Sequence, residues 1–208
     1  MKEELRHPLG LRLIHWGHAV CMFLLLLSGY YIHNPDFGIF TSMDSARKVH
    51  FVAAYLILAL VVVRIYYALV KKDFSGVIFT WKDIKGLYRV ARYYCFVDKK
   101  HPEFDEKYNP GQKIMYSTWI FLLLIQAITG FILYLPTASS ELASAYGGPM
   151  MVRMIHYLVF WVFVSSVAVH LYLDFTDDWQ VLKSMFTGCR REPKLVETGK
   201  QYHGEARG

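Results

Sequence analysis

The stretch RMIHYLVFWVFVSSVAVHLYLDF, residues 153 to 175, sets His156 and His170 inside one continuous apolar run. An imidazole left unpaired in hydrocarbon costs free energy, so each needs a bonded side chain, an ion or a metal. Fourteen helical steps of about 100° return to within about 40° of the starting direction and carry the chain roughly 21 Å. The two histidines therefore share one helix face at two depths. His15, His18 and His50 lie in or at the ends of other apolar runs. Imidazole is a common metal ligand, so pairs of these rings on facing helices are candidate ligation sites.

The elements that carry them are set by composition. Of 208 residues, 54% are hydrophobic and 16% aromatic, gathered in four blocks at about 11–32, 49–70, 114–135 and 154–173. Each is close to the ~20 residues that cross a bilayer as a helix. A cleaved signal peptide is the alternative for the first block, because Lys2, Arg6 and Arg12 precede its apolar run. That run is long for a signal core and leads into HNPDFG, not a small-residue cleavage motif, so it is expected to stay in the mature protein. The segment 71–113 carries ten Lys and Arg, whereas loops 34–47 and 136–152 together carry only Arg47. The positive-inside bias then puts both termini and the long middle loop in the cytoplasm. The net charge of +6 is accounted for by that topology and by anionic lipid, without nucleic acid.

With the chain starting inside, His15 falls near the inner end of helix one and His50 near the outer end of helix two. Helix four runs inward, so His156 is near the outer face and His170 near the inner one. Two layers result, His50 with His156 outside and His15 with His170 inside. Two imidazole pairs at two depths in a helical bundle suit two b-type haems held by axial ligands. Arg47 and Arg153 stand beside the outer layer, where they could pair with haem propionates or simply cap the interface. Gly29 and Gly130, inside helices, could admit a flat macrocycle or serve close helix packing. His18 competes with His15 for the inner site. His7, His33, His101 and His203, in or near loops, are expected to be solvated. Zinc would want four ligands in one tetrahedron, which two separated pairs do not supply. Cys21, Cys95 and Cys189 form no CxxC motif, which excludes covalent c-type haem and a local iron–sulfur cluster.

The fold expected is all-α: a polytopic four-helix membrane bundle over 1–175 enclosing two haems, followed by a basic cytoplasmic tail, 176–208, with little order beyond Arg190 unless a partner subunit supplies it. In the middle loop, WKDIKGLYRVARYYCF spaces Trp81, Ile84, Leu87, Tyr88, Ala91 and Phe96 as the apolar face of an amphipathic cytoplasmic helix. That helix could lie on the membrane surface or pack on the protein's own inner ends.

The motifs RLIHW at 12–16, ARKVH ending at His50, KYNPGQKIMY at 107–116, ITGFILYLP and the paired helix-four histidines, in this order, cover nearly the whole chain. Together they resemble the cytochrome b subunits of membrane-bound respiratory formate dehydrogenases, and more distantly the b-type cytochrome subunits of nickel–iron hydrogenases. That resemblance implies that the histidine before Trp16, His15, ligates the inner haem with His170, while His50 and His156 ligate the outer one. It also implies a quinone (menaquinone or ubiquinone) reduced beside His170, with Asn109, Gly111 and Gln112 lining the site. Those three also read plainly as the turn that leads into helix three. Asp174, Asp177 and Asp178 could pass protons to the reduced quinone or merely end a solvated helix.

The family's partners would be an iron–sulfur electron-transfer subunit and a catalytic molybdenum or tungsten formate dehydrogenase subunit, or a hydrogenase subunit. The centre that oxidises the donor would then lie on another chain. Two other functions fit parts of the sequence: a stand-alone cytochrome taking electrons from a small donor, and a haem-free anchor whose histidines hydrogen-bond between helices.

Overall fold

The computed structural model describes residues 2–72, 79–95, 97–98, 102, 109–176 and 179–192. Four helices are long and apolar enough to cross a membrane: α1 (Leu9–His33), α2 (Met43–Lys71), α4 (Pro110–Tyr134) and α6 (Pro149–Thr176). Three shorter ones join them, α3 (Trp81–Tyr94), α5 (Ser140–Ala145) and α7 (Trp179–Thr187). The departure from an all-helical chain is a two-stranded antiparallel ribbon, β1 (Lys2–Leu5) against β2 (Cys189–Glu192). The ribbon was not anticipated; most of the tail beyond it, with Phe96, His101, Lys107, Tyr108, Asp177, Asp178 and His203, lies outside the described residues.

The spans are longer than the apolar blocks because polar caps extend them. Ser42 and Ser45 make a reciprocal capping box, Ser45 N–H to Ser42 Oγ at 3.1 Å and Ser42 N–H to Ser45 Oγ at 3.2 Å. This starts α2 six residues before the apolar run and leaves His50 two turns inside the helix. Asn109 and Gln112 do the same for α4, at 2.8 and 3.1 Å, with Pro110 in the first turn.

α1 packs along α2, and α4 along α6, as two helical hairpins. A core of Leu122, Val159 and Phe163, flanked by Met22, Leu26 and Trp119, ties the second hairpin to the first. Outward-facing Leu13, Phe23, Val62, Phe131 and Leu158 are exposed, as expected where the surrounding solvent is lipid.

The short elements close the end where the chain begins and finishes. Arg12 Nε donates to Met185 O at 3.2 Å and its Nη2 to Phe186 O, and Trp16 Nε1 donates to Met185 O at 3.1 Å. These donors satisfy carbonyls at the end of α7, which otherwise lack partners. His7 is buried here, 5% exposed, and not solvated as expected, because the ribbon and the Gly188 turn fold over it. α3 turns Asp83, Gly86 and Val90 inward and leaves Trp81, Ile84 and Tyr88 exposed. Most of its apolar face therefore points away from the protein, and its packed face centres on an ion pair, Asp83 with Lys113 at 3.0 Å.

Candidate functional site

His50 on α2 and His156 on α6 face each other with ring centroids 6.4 Å apart. His15 on α1 and His170 on α6 do the same, also at 6.4 Å. A metal–imidazole bond is about 2 Å, and the ring centroid lies about 1.2 Å beyond the nitrogen. Two imidazoles on opposite sides of one iron thus stand about 6.4 Å apart. Both pairs meet this distance, so the residues fit a six-coordinate haem iron at each depth. Among the described residues no cluster of three or more His, Cys, Asp or Glu side chains is placed to hold a metal ion.

The His50–His156 layer has a second level of organisation that the sequence reading did not find. Ser28 Oγ lies 2.9 Å from His50 Nδ1, and Thr129 Oγ1 lies 2.8 Å from His156 Nδ1. Each hydroxyl also donates back along its own helix, Ser28 to Leu24 O at 2.6 Å and Thr129 to Ile125 O at 2.7 Å. A hydroxyl has one proton, so its oxygen must accept from Nδ1–H, which leaves Nε2 with the lone pair that binds metal. The next residue in each helix is glycine. A Cβ on Gly29 would meet His50 Cε1 at 3.4 Å, and one on Gly130 would meet His156 Cε1 at 3.3 Å. An added Cβ would thus touch each histidine ring, in ordinary contact at Gly29 and slightly too close at Gly130. The shared pattern, hydroxyl then glycine, was visible as LLLSGYY and QAITGFILY, but its partners were not.

In the other layer His15 lies edge-on to Trp16, and His170 lies edge-on to Trp119. His18 Nδ1 is 2.8 Å from Ile14 O, a local contact on its own helix. His15, not His18, is the α1 histidine opposite His170. His170 Nε2 is 3.3 Å from Asp174 Oδ2, so binding a metal through that nitrogen requires it to exchange the carboxylate for the ion. Arg47 and Arg153 are exposed on the helix surfaces, and His33 stacks on Tyr157 with centroids 3.8 Å apart.

A cavity of about 740 Å³ opens beside His170, and Asn109, Gly111, Gln112, Asp174, Val90 and Tyr94 are among its walls. The three residues expected to line a quinone site thus share one cavity with His170. Asn109 and Gln112 also cap α4, so the structural reading of NPGQ holds as well. Their oxygens serve the caps, and among the described residues their side-chain NH₂ groups make no hydrogen bond. Gly111 is where α3 closes on α4: a Cβ there would meet Val90 Cγ1 at 3.5 Å and Asn109 Oδ1 at 3.2 Å. Near this wall Asp83 accepts from the Thr80 hydroxyl and N–H, each at 2.6 Å. The Thr80 hydroxyl, more than any other group, holds the Asp83 carboxyl below its ordinary value against the opposing effect of burial, with Lys113 adding to it.

A four-span helical bundle with two facing pairs of imidazoles has the form of a membrane b-type cytochrome. The chain belongs to the prokaryotic cytochrome b561 family, which it matches over residues 6–188. It is 25% identical to the "Probable Ni/Fe-hydrogenase 1 B-type cytochrome subunit" of Escherichia coli K12, over 86% of this chain and 87% of that one. Identity is 28% to the "Probable Ni/Fe-hydrogenase B-type cytochrome subunit" of Rhizobium leguminosarum bv. viciae, over 86% and 85%. It is 26% to the "Formate dehydrogenase, cytochrome b556 subunit" of Haemophilus influenzae, over 96% and 80%. The hydrogenase-type and formate-type relatives stand at similar identity, so identity does not rank one above the other as the sequence resemblance did.

Proposed function

We propose that this chain is the dihaem cytochrome b subunit of a respiratory oxidoreductase, passing electrons from a partner on one membrane face to quinone near the other. The observation that carries this reading is the pair of imidazole–imidazole separations, both 6.4 Å, at two depths of one bundle. Haem b held in each pair supplies a reversible one-electron carrier. His50 and His156 would hold one haem in the outer layer, and His15 and His170 the other in the inner one. The hydrophobic layer of Leu122, Val159 and Phe163 separates the two and keeps water out of the path.

Quinone reduction consumes two electrons and two protons for each quinol formed. In the cavity beside His170, the NH₂ groups of Asn109 and Gln112 would donate hydrogen bonds to a quinone carbonyl. Asp174, which also lines that cavity, would hand a proton from the aqueous side to the reduced oxygen. With both termini and the 71–113 segment in the cytoplasm, as the Lys and Arg distribution favours, those protons come from the cytoplasm. Charge then moves across the membrane, worth about 2.3 kcal/mol per charge per 100 mV.

The donor is oxidised on partner chains, reached through an iron–sulfur subunit docked at the His50–His156 end. The relatives' names support either a nickel–iron hydrogenase or a formate dehydrogenase as that partner. The test is purification of the membrane complex with a pyridine haemochrome assay and metal analysis. Two b-type haems per copy of this chain are expected, with nickel, or else molybdenum or tungsten, in the co-purifying subunit. A chain free of haem would return the histidines to interhelical hydrogen bonding and remove the electron-transfer function.

A further inference from the structure

Arg64 lies inside the second membrane span, two turns before its end at Lys71, where a charged side chain is costly and calls for a partner. Its Nη1 is buried and, among the described residues, makes no hydrogen bond. An arginine that merely snorkels to the membrane surface would hold its guanidinium in the open, whereas this one keeps one of its nitrogens inside the protein.

Its position follows from the two hairpins. Arg64 is 14 residues beyond His50 on α2, just as His170 is 14 residues beyond His156 on α6. The same helical arithmetic puts it on the face that His50 presents, roughly 21 Å further along. The α1–α2 contacts give its depth independently. A Cβ on Gly17 would meet Leu60 at 2.9 Å, and one on Gly10 would meet Tyr67 at 3.0 Å. Between these contacts Arg64 falls level with about residue 13 of α1, roughly 3 Å along the axis from His15. One hairpin thus offers His170 at the inner layer, and the other offers a guanidinium at the corresponding place.

We infer that Arg64 is a carboxylate-binding residue of the inner layer, pairing with a propionate of the haem held between His15 and His170. A planar guanidinium with five N–H donors matches a carboxylate in a bidentate manner, and a haem carries two carboxylates at one edge. The assignment rests on the dihaem reading. It places the propionate contact at Arg64, apart from exposed Arg47 and Arg153, which the sequence had singled out for the outer layer.

The test isolates one haem at a time in the membrane complex. With His50→Ala only the inner haem should remain, and adding Arg64→Gln should lower its midpoint potential, because an unbalanced propionate favours the oxidised iron. Arg64→Lys should restore most of the shift. With His15→Ala only the outer haem remains, and Arg64→Gln should leave its titration unchanged. A second measurement keeps Arg64 in place: His50→Ala chains made in haem-deficient cells are supplied with haem b or with its dimethyl ester. A preference of at least about tenfold for the free carboxylates is expected, about 1.4 kcal/mol. Superimposable titrations in the His50→Ala background, or equal uptake of acid and ester, would overturn the assignment. A parent chain that holds no haem would instead fail the dihaem reading, and is recognised before any Arg64 variant is made.

Discussion

Ser28 and His50 are joined across α1 and α2 by a 2.9 Å contact between Oγ and Nδ1, and Thr129 and His156 repeat it across α4 and α6 at 2.8 Å. Because both hydroxyl protons go to carbonyls of their own helices, both imidazoles are held as Nδ1–H donors. The oxygen that accepts this proton adds electron density to the ring, which favours ferric iron bound at Nε2. Ser28→Ala and Thr129→Ala should therefore each raise one of two haem midpoint potentials and leave the other in place. Loss of such a supporting hydrogen bond should also loosen the outer haem by about 10- to 100-fold. Ser28→Thr and Thr129→Ser should restore the parent values in a redox titration, whereas a purely volumetric role for these residues predicts no such rescue.

The assignment of layers is separable by single changes. His50→Ala or His156→Ala should remove one haem and keep the other, and His15→Ala should remove the complementary one. His18→Ala should keep both, since its Nδ1 is directed to Ile14 O and not toward His170. Haem counted per chain, with the two α-bands followed by potentiometry, checks all four. Loss of haem from His18→Ala but not His15→Ala would reverse the inner assignment.

Two roles of Asn109, cap and donor, can be pulled apart. Asn109→Asp keeps the oxygen that accepts Gln112 N–H but removes the NH₂ group of a residue that lines the cavity. Both haems should remain, while quinone reduction weakens by up to about tenfold, as expected for one neutral hydrogen bond. Asn109→Ala loses the cap as well, at a further cost of about 1 kcal/mol to the start of α4. Quinone kinetics in isolated membranes that are identical for the parent and Asn109→Asp would remove Asn109 from the site.

The relation between residue pattern and structure was uneven, for physical reasons. Runs of about 20 apolar residues leave few alternatives to a membrane span, so the four helices were legible. The pairing of His15 with His170 and of His50 with His156 was legible too, because helix rise and twist fix depth and direction without knowledge of neighbours. Ser28 and Thr129 were not. A hydroxyl in an apolar helix ordinarily bonds the carbonyl one turn back, and these do, so nothing in the sequence marks the second bond to a histidine. On α3 the apolar spacing of Trp81, Ile84 and Tyr88 left open whether that face meets lipid or the protein; the structure turns it outward, and the pairing of Asp83 with Lys113 decides which face is packed. The ribbon of β1 and β2 joins residues nearly 190 positions apart, beyond any local signal. Arg64 was legible in principle, by the spacing that His156 and His170 already displayed, but the sequence reading did not single it out.

The buried pair of Asp83 and Lys113 fixes α3 against the cavity wall, and it gives that wall a dependence on acid. Asp83 has a carboxyl held below its ordinary value of 3.8 by the Thr80 hydroxyl, with Lys113 contributing. A carboxyl whose folded value is depressed adds stability that is fully present above its ordinary value and is lost as pH falls through the lowered one. α3 should therefore stay docked at neutral pH and begin to release only below about 4, read as faster amide exchange across residues 81–94. Asp83→Asn removes the carboxylate that pairs with Lys113, so α3 should open more readily at neutral pH. Adding Lys113→Met should recover part of that loss, because asparagine and methionine leave no buried charge to desolvate. Val90 and Tyr94 of α3 line the cavity, so Asp83→Asn should also slow quinone reduction while the haem content is unchanged. Exchange in α3 that is the same in the parent, the single and the double variant would show that the ion pair does not hold this wall.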